Sequence, residues 1–239
     1  MNALPDMTRE RTMHVKRTLH AMVGACLAVA ALSADAAIIQ TLTTVSLPGG
    51  STGTIGNLGA NPAPNNDNAA AASANTIPYT VFHNALGTME VEFVAANSGG
   101  TTEYQITQTF INNTGETWIG FEFELGYGLG DAFTRSGAGD GLDFDTPDAD
   151  PTPTASLFSV LLHESDFIRW TDGSVPSIGV LTLSFAIDVP DNLAAFNPAG
   201  LDRFTLRQSP IVAAQEVPEP SSLLLLGAGA LGLVVRRRI

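Results

Sequence analysis

Cysteine and lysine are almost missing from this sequence of 239 residues. The one cysteine, Cys26, and the one lysine, Lys16, both lie within the first 36 residues. Residues 37–216 therefore form no disulfide, and their stability has to come from an apolar core. Those residues hold 20 Asp and Glu against four Arg, a net charge of −16. Such a surface repels nucleic acid and anionic lipid, whose phosphates bind Lys and Arg.

Common catalytic motifs are also missing. The sequence has no Gly-x-Ser-x-Gly elbow, no phosphate-binding glycine loop and no histidine pair at metal-ligand spacing. Two carboxylate pairs have the i, i+2 spacing of one strand face, Glu90 with Glu92 and Glu122 with Glu124. Apolar residues occupy the alternate positions, so these glutamates are predicted to face water rather than to act as a glycosidase pair. We predict no enzymatic activity, with a hydrolase as the weakest alternative.

The N-terminal segment has the layout of a secretory signal peptide. Lys16 and Arg17 precede an apolar stretch from Ala21 to Leu32, and Ala34-Asp35-Ala36 follows. This order predicts export through the Sec translocon, with residues 1–36 removed as a leader. An N-terminal membrane anchor is the weaker alternative, because about 12 apolar residues fall short of the roughly 20 that span a bilayer.

Residues 37–216 are predicted to form a single all-β domain. Segments rich in Val, Ile, Thr and Phe alternate apolar with polar residues, as antiparallel strands with one buried face do. The segment Asn112–Glu116 carries the Asn and Gly of a hairpin turn. The predicted strands cover residues 38–47, 76–83, 88–96, 102–112, 117–125, 155–163, 178–189 and 202–210. With no long amphipathic helix, this pattern favours a single antiparallel, jelly-roll-like β-sandwich.

Two segments of this domain are predicted to lie outside the strands. Residues 48–75 are rich in Gly, Asn and Ala without a periodic apolar face, which indicates a flexible surface excursion. Residues 136–154 form an acidic loop with five aspartates within eleven residues: Asp140, Asp143, Asp145, Asp148 and Asp150. Ca²⁺ binds six to eight oxygen ligands, so this loop is the candidate metal site. A solvated acidic loop without metal is the simpler alternative, and we predict no other cofactor.

Three aromatic residues form a second candidate site. Trp118, Tyr127 and Trp170 fall in the β-rich body, and aromatic rings with polar rims can stack on sugars. Packing in the core or in a hairpin explains the same residues, so both interpretations stay open.

The C-terminal segment Val217–Ile239 reads VPEPSSLLLLGAGALGLVVRRRI. It contains the short motif Val217, Pro218, Glu219 and Pro220, an apolar stretch from Leu223 to Val235, and the basic cluster Arg236, Arg237 and Arg238. This order resembles the PEP-CTERM sorting tail of exported bacterial proteins. The resemblance implies recognition of the Pro-Glu-Pro motif by an exosortase, a processing enzyme of the inner membrane in Gram-negative bacteria that make extracellular polysaccharide.

The length of the apolar stretch agrees with a temporary membrane anchor. About 15 apolar residues at 1.5 Å each give roughly 22 Å, short of the roughly 30 Å hydrocarbon core. The arginine cluster is predicted to stay on the cytoplasmic side of this transmembrane helix and to keep the body outside. A permanent single-span anchor is the alternative.

These observations predict an exported protein at the cell surface or in the extracellular matrix, anchored in the membrane before processing. A structural or adhesive part in exopolysaccharide or biofilm is the leading hypothesis. The alternative is a carbohydrate-binding module, with or without Ca²⁺.

Overall fold

The computed structural model describes residues 37–55, 66, 75–137, 139–146 and 151–213. The predicted leader at 1–36, the tail at 217–239 and most of the excursion at 48–75 lie outside the described residues. Within the described ranges, no helix has the length and apolar character to cross a bilayer.

Twelve strands form the body, which is all-β as predicted apart from two short 3₁₀ turns at Gly130–Ala132 and Leu193–Ala195. In chain order they are β1 Ala37–Ser46, β2 Thr52–Ile55, β3 Thr76–His83, β4 Met89–Asn97, β5 Thr101–Asn112, β6 Trp118–Tyr127, β7 Thr134–Arg135, β8 Thr154–Ala155, β9 Phe158–His163, β10 Phe167–Gly173, β11 Val180–Pro190 and β12 Arg203–Val212.

The strands form two sheets. One sheet has the order β1-β4-β12-β6-β10-β9, with β7 beside β6, and the other has the order β2-β3-β5-β11-β8. Eight strands coincide with the sequence prediction to within about three residues at each end, because their sequences largely alternate apolar with polar residues. The two-sheet, all-β architecture is confirmed, and jelly-roll-like connectivity stays a prediction.

The segment Asn112–Glu116 was predicted to be a hairpin turn, but it joins β5 to β6, which lie in different sheets and do not pair. Three further features of the sheets differ from the sequence prediction. The strands β3 and β5 pair in parallel, so the five-stranded sheet is mixed rather than purely antiparallel. β2 lies inside the segment that was predicted to hold no strand. β10 was missed, since its sequence FIRWTDG places two apolar residues side by side and lacks clean alternation. All three features depend on pairing between strands that are distant in the sequence. A local sequence pattern does not contain this information.

The core lies between the two sheets and is rich in aromatic rings. Phe110 and Phe185 of the five-stranded sheet meet Phe121 and Phe123 of the seven-stranded sheet, with ring centroids 4.5 Å apart for Phe110–Phe121 and 4.7 Å for Phe123–Phe185. Buried aromatic pairs contribute roughly 0.5–1.5 kcal/mol beyond their area burial. This packing compensates for the lack of disulfides in the domain.

The outer face of the seven-stranded sheet carries all four arginines of residues 37–216. Each binds at least one carboxylate on that side, and the pairs are Arg135–Glu124, Arg169–Glu122, Arg203–Glu92 and Arg207–Glu90. The four glutamates therefore lie on the outer face that alternation predicted. They were expected to face water, but each pairs with an arginine, and Glu90 is buried.

A histidine at the end of β3 is buried in the aromatic core. The ring of His83 packs against Trp118 at 5.3 Å and Phe110 at 5.6 Å between centroids. Burial lowers the pKa of His83 below its usual 6.5, because the charged imidazolium loses its water shell. The unfolded chain therefore binds more protons than the folded chain between the lowered pKa and 6.5.

We expect the free energy of unfolding to fall as the pH decreases through 6.5, with a slope of at most about 1.4 kcal/mol per pH unit. The loss levels off below the folded-state pKa of His83. Urea unfolding at pH 7.5, 6.5 and 5.5 measures it. His83→Phe should remove this dependence, and His163→Gln should retain it. A pH profile that is the same in all three proteins contradicts the assignment to His83.

Candidate functional site

Three acidic side chains converge at one end of the five-stranded sheet. Glu103 of β5 and Asp188 of β11 are register partners, and Asp145 comes from the acidic loop. Their relative exposures are 1%, 5% and 2%, and one carboxylate oxygen from each lies within 4.8 Å of the others. Two oxygens that bind one Ca²⁺ at 2.3–2.6 Å are at most about 5 Å apart. The spacing of this carboxylate cluster is therefore that of a calcium site.

The acidic loop reaches the sheet through a short bridge to β11. Asp143 N donates to Asp188 O at 3.3 Å, and Asp188 N donates to Asp143 O at 2.9 Å. The next residue, Phe144, is buried and packs edge-on against Phe185 at 5.5 Å between centroids. These contacts fix the backbone on both sides of the turn, so Asp145 is held beside Asp188.

Two asparagines bind the backbone of Glu103, in the part of β5 that lies beyond the first residue of β3. Asn75 Nδ2 donates to Glu103 O at 2.9 Å, and Glu103 N donates to Asn66 Oδ1 at 3.0 Å. Asn75 Nδ2 also donates to Asn66 Oδ1 at 3.3 Å. The two side chains thereby replace strand pairing along this stretch of β5.

The cluster offers oxygen ligands alone. Burying three carboxylates so close together is costly unless positive charge, hydrogen bonds or protons compensate them. Residues 37–216 hold no lysine, and the ion pairs described for the four arginines are with carboxylates of the other sheet and its loops. An all-oxygen set of side chains suits Ca²⁺ rather than a softer metal.

The structure separates the five aspartates that the sequence put forward as ligands. Asp145 belongs to the carboxylate cluster. Asp140 instead accepts hydrogen bonds from Tyr127 Oη at 3.1 Å, Gly137 N at 2.9 Å and Leu142 N at 3.1 Å, so its carboxylate orders its own loop. Asp143 Oδ1 accepts from Thr146 N at 2.8 Å. Asp148 and Asp150 lie outside the described residues.

Glu103 and Asp188 were missed as candidate ligands. Each is an acidic residue inside a strong β segment, TEYQITQTF and SFAIDV. Ionisable residues are depleted in the interior of strands, and this was the available signal. The sequence alone did not show that the two strands are neighbours.

The predicted sugar-stacking residues require a correction. Trp118, Tyr127 and Trp170 are all buried, so none presents a ring face to a ligand. Trp170 packs edge-on against Phe123 at 5.8 Å, and Trp118 Nε1 donates to Thr114 Oγ1 at 3.3 Å. Burial, and then the Asp140 charge, raise the pKa of Tyr127 well above its usual value. Packing in the core, one of the alternative interpretations, describes all three.

The C-terminal tail is where the chain is similar to known proteins. Residues 216–238 match the family model of the PEP-CTERM protein-sorting motif. The chain carries a PEP-CTERM sorting motif. The motif indicates an exported chain that is targeted to an exosortase. No curated protein and no solved structure matches the chain.

Proposed function

We propose that this PEP-CTERM protein is a non-catalytic component of the cell surface or extracellular matrix, with a structural or adhesive part in exopolysaccharide or biofilm. The observation that carries this proposal is the sorting motif at residues 216–238. A two-sheet body with a rigid aromatic core supports it, since such a body suits a load-bearing or binding domain. The net charge of −16 over residues 37–216 favours solubility outside the cell.

The two ends of the chain have separate roles in this proposal. Residues 1–36 direct passage through the Sec translocon and are removed. The apolar stretch Leu223–Val235 holds the exported chain in the inner membrane, and the arginines at 236–238 stay in the cytoplasm. The exosortase then reads Pro218, Glu219 and Pro220 and releases or transfers the body to the cell surface.

Mass spectrometry of the exported protein tests the processing step. In a host that has an exosortase, we expect a mature C-terminus that lacks Arg236–Ile239. A Pro218→Ala, Glu219→Ala, Pro220→Ala variant should keep the whole tail in the membrane fraction, whereas Ser222→Ala, next to the motif, should be processed normally. An exported protein that still ends at Ile239 overturns the proposed processing.

We further propose that Glu103, Asp145 and Asp188 hold a structural Ca²⁺ in this exported body. Their burial and the spacing of their carboxylate oxygens, within 4.8 Å of one another, support it. The cation would join the acidic loop to β5 and β11, which are distant in the sequence. Such a link stabilises the folded chain without a disulfide.

A further inference from the structure

The outer face of the five-stranded sheet has an ordered set of side chains. Strand registers place twelve outward residues in three rows that run across the strands. We call this surface the threonine face, and its rows are Thr52, Phe82, Ile111 and Val180, then Thr54, Thr80, Thr109 and Thr182, then Pro78, Thr107, Ser184 and Thr154. The middle row consists of four threonines in register on four strands.

The twelve side chains of the threonine face include no ionisable group. Glu103 and Asp188 lie further along β5 and β11 on the same side of the sheet, but both are buried beside Asp145. Eight of the twelve side chains are exposed and the other four are half-buried, so solvent reaches the whole surface. Phe82 and Val180 are 42% and 51% exposed on the same row. The opposite sheet shows the contrast, because its outer face holds all four arginines and their carboxylate partners. Because the domain has a net charge of −16, we expect an uncharged surface of this extent to bind an uncharged partner.

We propose that the threonine face binds an uncharged polysaccharide chain. Each threonine hydroxyl is both a donor and an acceptor, as a sugar hydroxyl is, so the rows offer repeated two-way hydrogen bonds. Along a strand these hydroxyls recur about every 6.6 Å, and between strands about every 4.8 Å. Phe82 at one end supplies an exposed aromatic ring, whose apolar face suits the C–H face of a pyranose.

The size of the face favours a polysaccharide over a second copy of the chain. Three rows of four residues each cover about 13 Å by 14 Å, and about 400 Å² with a margin of side-chain width. A stable protein interface takes about 800 Å² from each partner. The acidic surface around the face also repels a second copy, while a neutral extended chain meets neither obstacle. This inference deepens the adhesive part proposed above and rests on it.

Binding by the purified exported protein to cellulose, chitin, curdlan and dextran tests the proposal, with alginate as the anionic probe. We expect binding to at least one neutral polysaccharide and none to alginate. Phe82→Ala and the Thr80→Ala, Thr109→Ala double variant should each raise the half-saturating concentration about tenfold. Val160→Ala and Thr41→Ala, which are exposed on strands of the other sheet, should bind as the wild type does.

Each other outcome overturns the proposal in a recognisable way. If the protein binds none of the four neutral probes, uncharged polysaccharide is excluded as the ligand class. If all variants bind equally well, the threonine face is excluded as the binding surface. Sedimentation that shows a dimer which only the face variants convert to monomer assigns the surface to a second copy. The mass of the mature C-terminus reports the sorting step independently, so a failed adhesive surface is distinguishable from failed export.

Discussion

Removing Ca²⁺ with a chelator is expected to lower the midpoint of thermal unfolding of the purified protein by about 5–10 °C. A ligand that binds only the folded state at one hundred times its Kd stabilises it by about 2.7 kcal/mol. For a domain of 150–250 residues, each kcal/mol moves the midpoint by about 2–4 °C. Repulsion among the carboxylates of Glu103, Asp145 and Asp188 acts in the same direction once the cation has gone.

Two variants assign this effect to the carboxylate cluster. Asp145→Asn and Asp188→Asn keep the side-chain shape and remove one charge each, so their melting curves should be nearly the same with Ca²⁺ and with chelator. Asp145 has a left-handed φ of 49°, which asparagine tolerates well. Asp172→Asn is the matched control, since Asp172 also has a left-handed φ, of 57°, and is exposed.

The control variant, Asp172→Asn, should respond to chelation as the wild type does. A wild-type midpoint that does not change between Ca²⁺ and chelator removes the calcium proposal. Higher stability of Asp145→Asn or Asp188→Asn without Ca²⁺, together with no response to the cation, assigns the cluster to shared protons instead.

The strands could be predicted from the sequence where one face of a segment is buried and the other is exposed to solvent. β3, TIPYTVFH, has the burial pattern of strict alternation, and its predicted bounds agree with the structure. β10 has its Phe167 and Ile168 both buried, so its local period is not two. The failure has a physical cause, because a strand between two neighbours near a sheet edge is shaped by its partners as much as by its own pattern.

The carboxylate cluster shows the same limit for a site. The density of aspartates in the acidic loop predicted an oxygen-rich site, and Asp145 belongs to one. The other two members come from positions 42 residues before and 43 residues after it in the sequence. Only the pairing of β5 with β11 makes Glu103 and Asp188 neighbours. The density of aspartates in the sequence therefore located one member of the cluster, and only the sheet topology located the other two.

The connection between β5 and β6 contains a residue whose role is larger than its turn propensity. The sequence predicted a hairpin turn at Asn112–Glu116, and this prediction is wrong, because the segment joins two strands that lie in different sheets and do not pair. Asn112 is fully buried, and its Nδ2 donates to Glu116 O at 2.8 Å, Val175 O at 3.1 Å and Pro176 O at 3.1 Å. Its Oδ1 accepts from Thr114 N at 3.1 Å. One side chain thus joins this connection to the segment before β11.

Asn112→Ala is therefore expected to lower the free energy of unfolding by about 3–4 kcal/mol, because buried carbonyls and an amide lose their partner at about 1–3 kcal/mol each before relaxation. Urea unfolding measures this as a lower midpoint with an unchanged slope. Asn113→Ala is the matched control, since Asn113 is exposed and binds only Asn84 Oδ1 through its side chain. Its expected loss is below about 0.5 kcal/mol. Equal losses at the two positions would mean that turn propensity, rather than the buried network around Asn112, fixes this end of the sandwich.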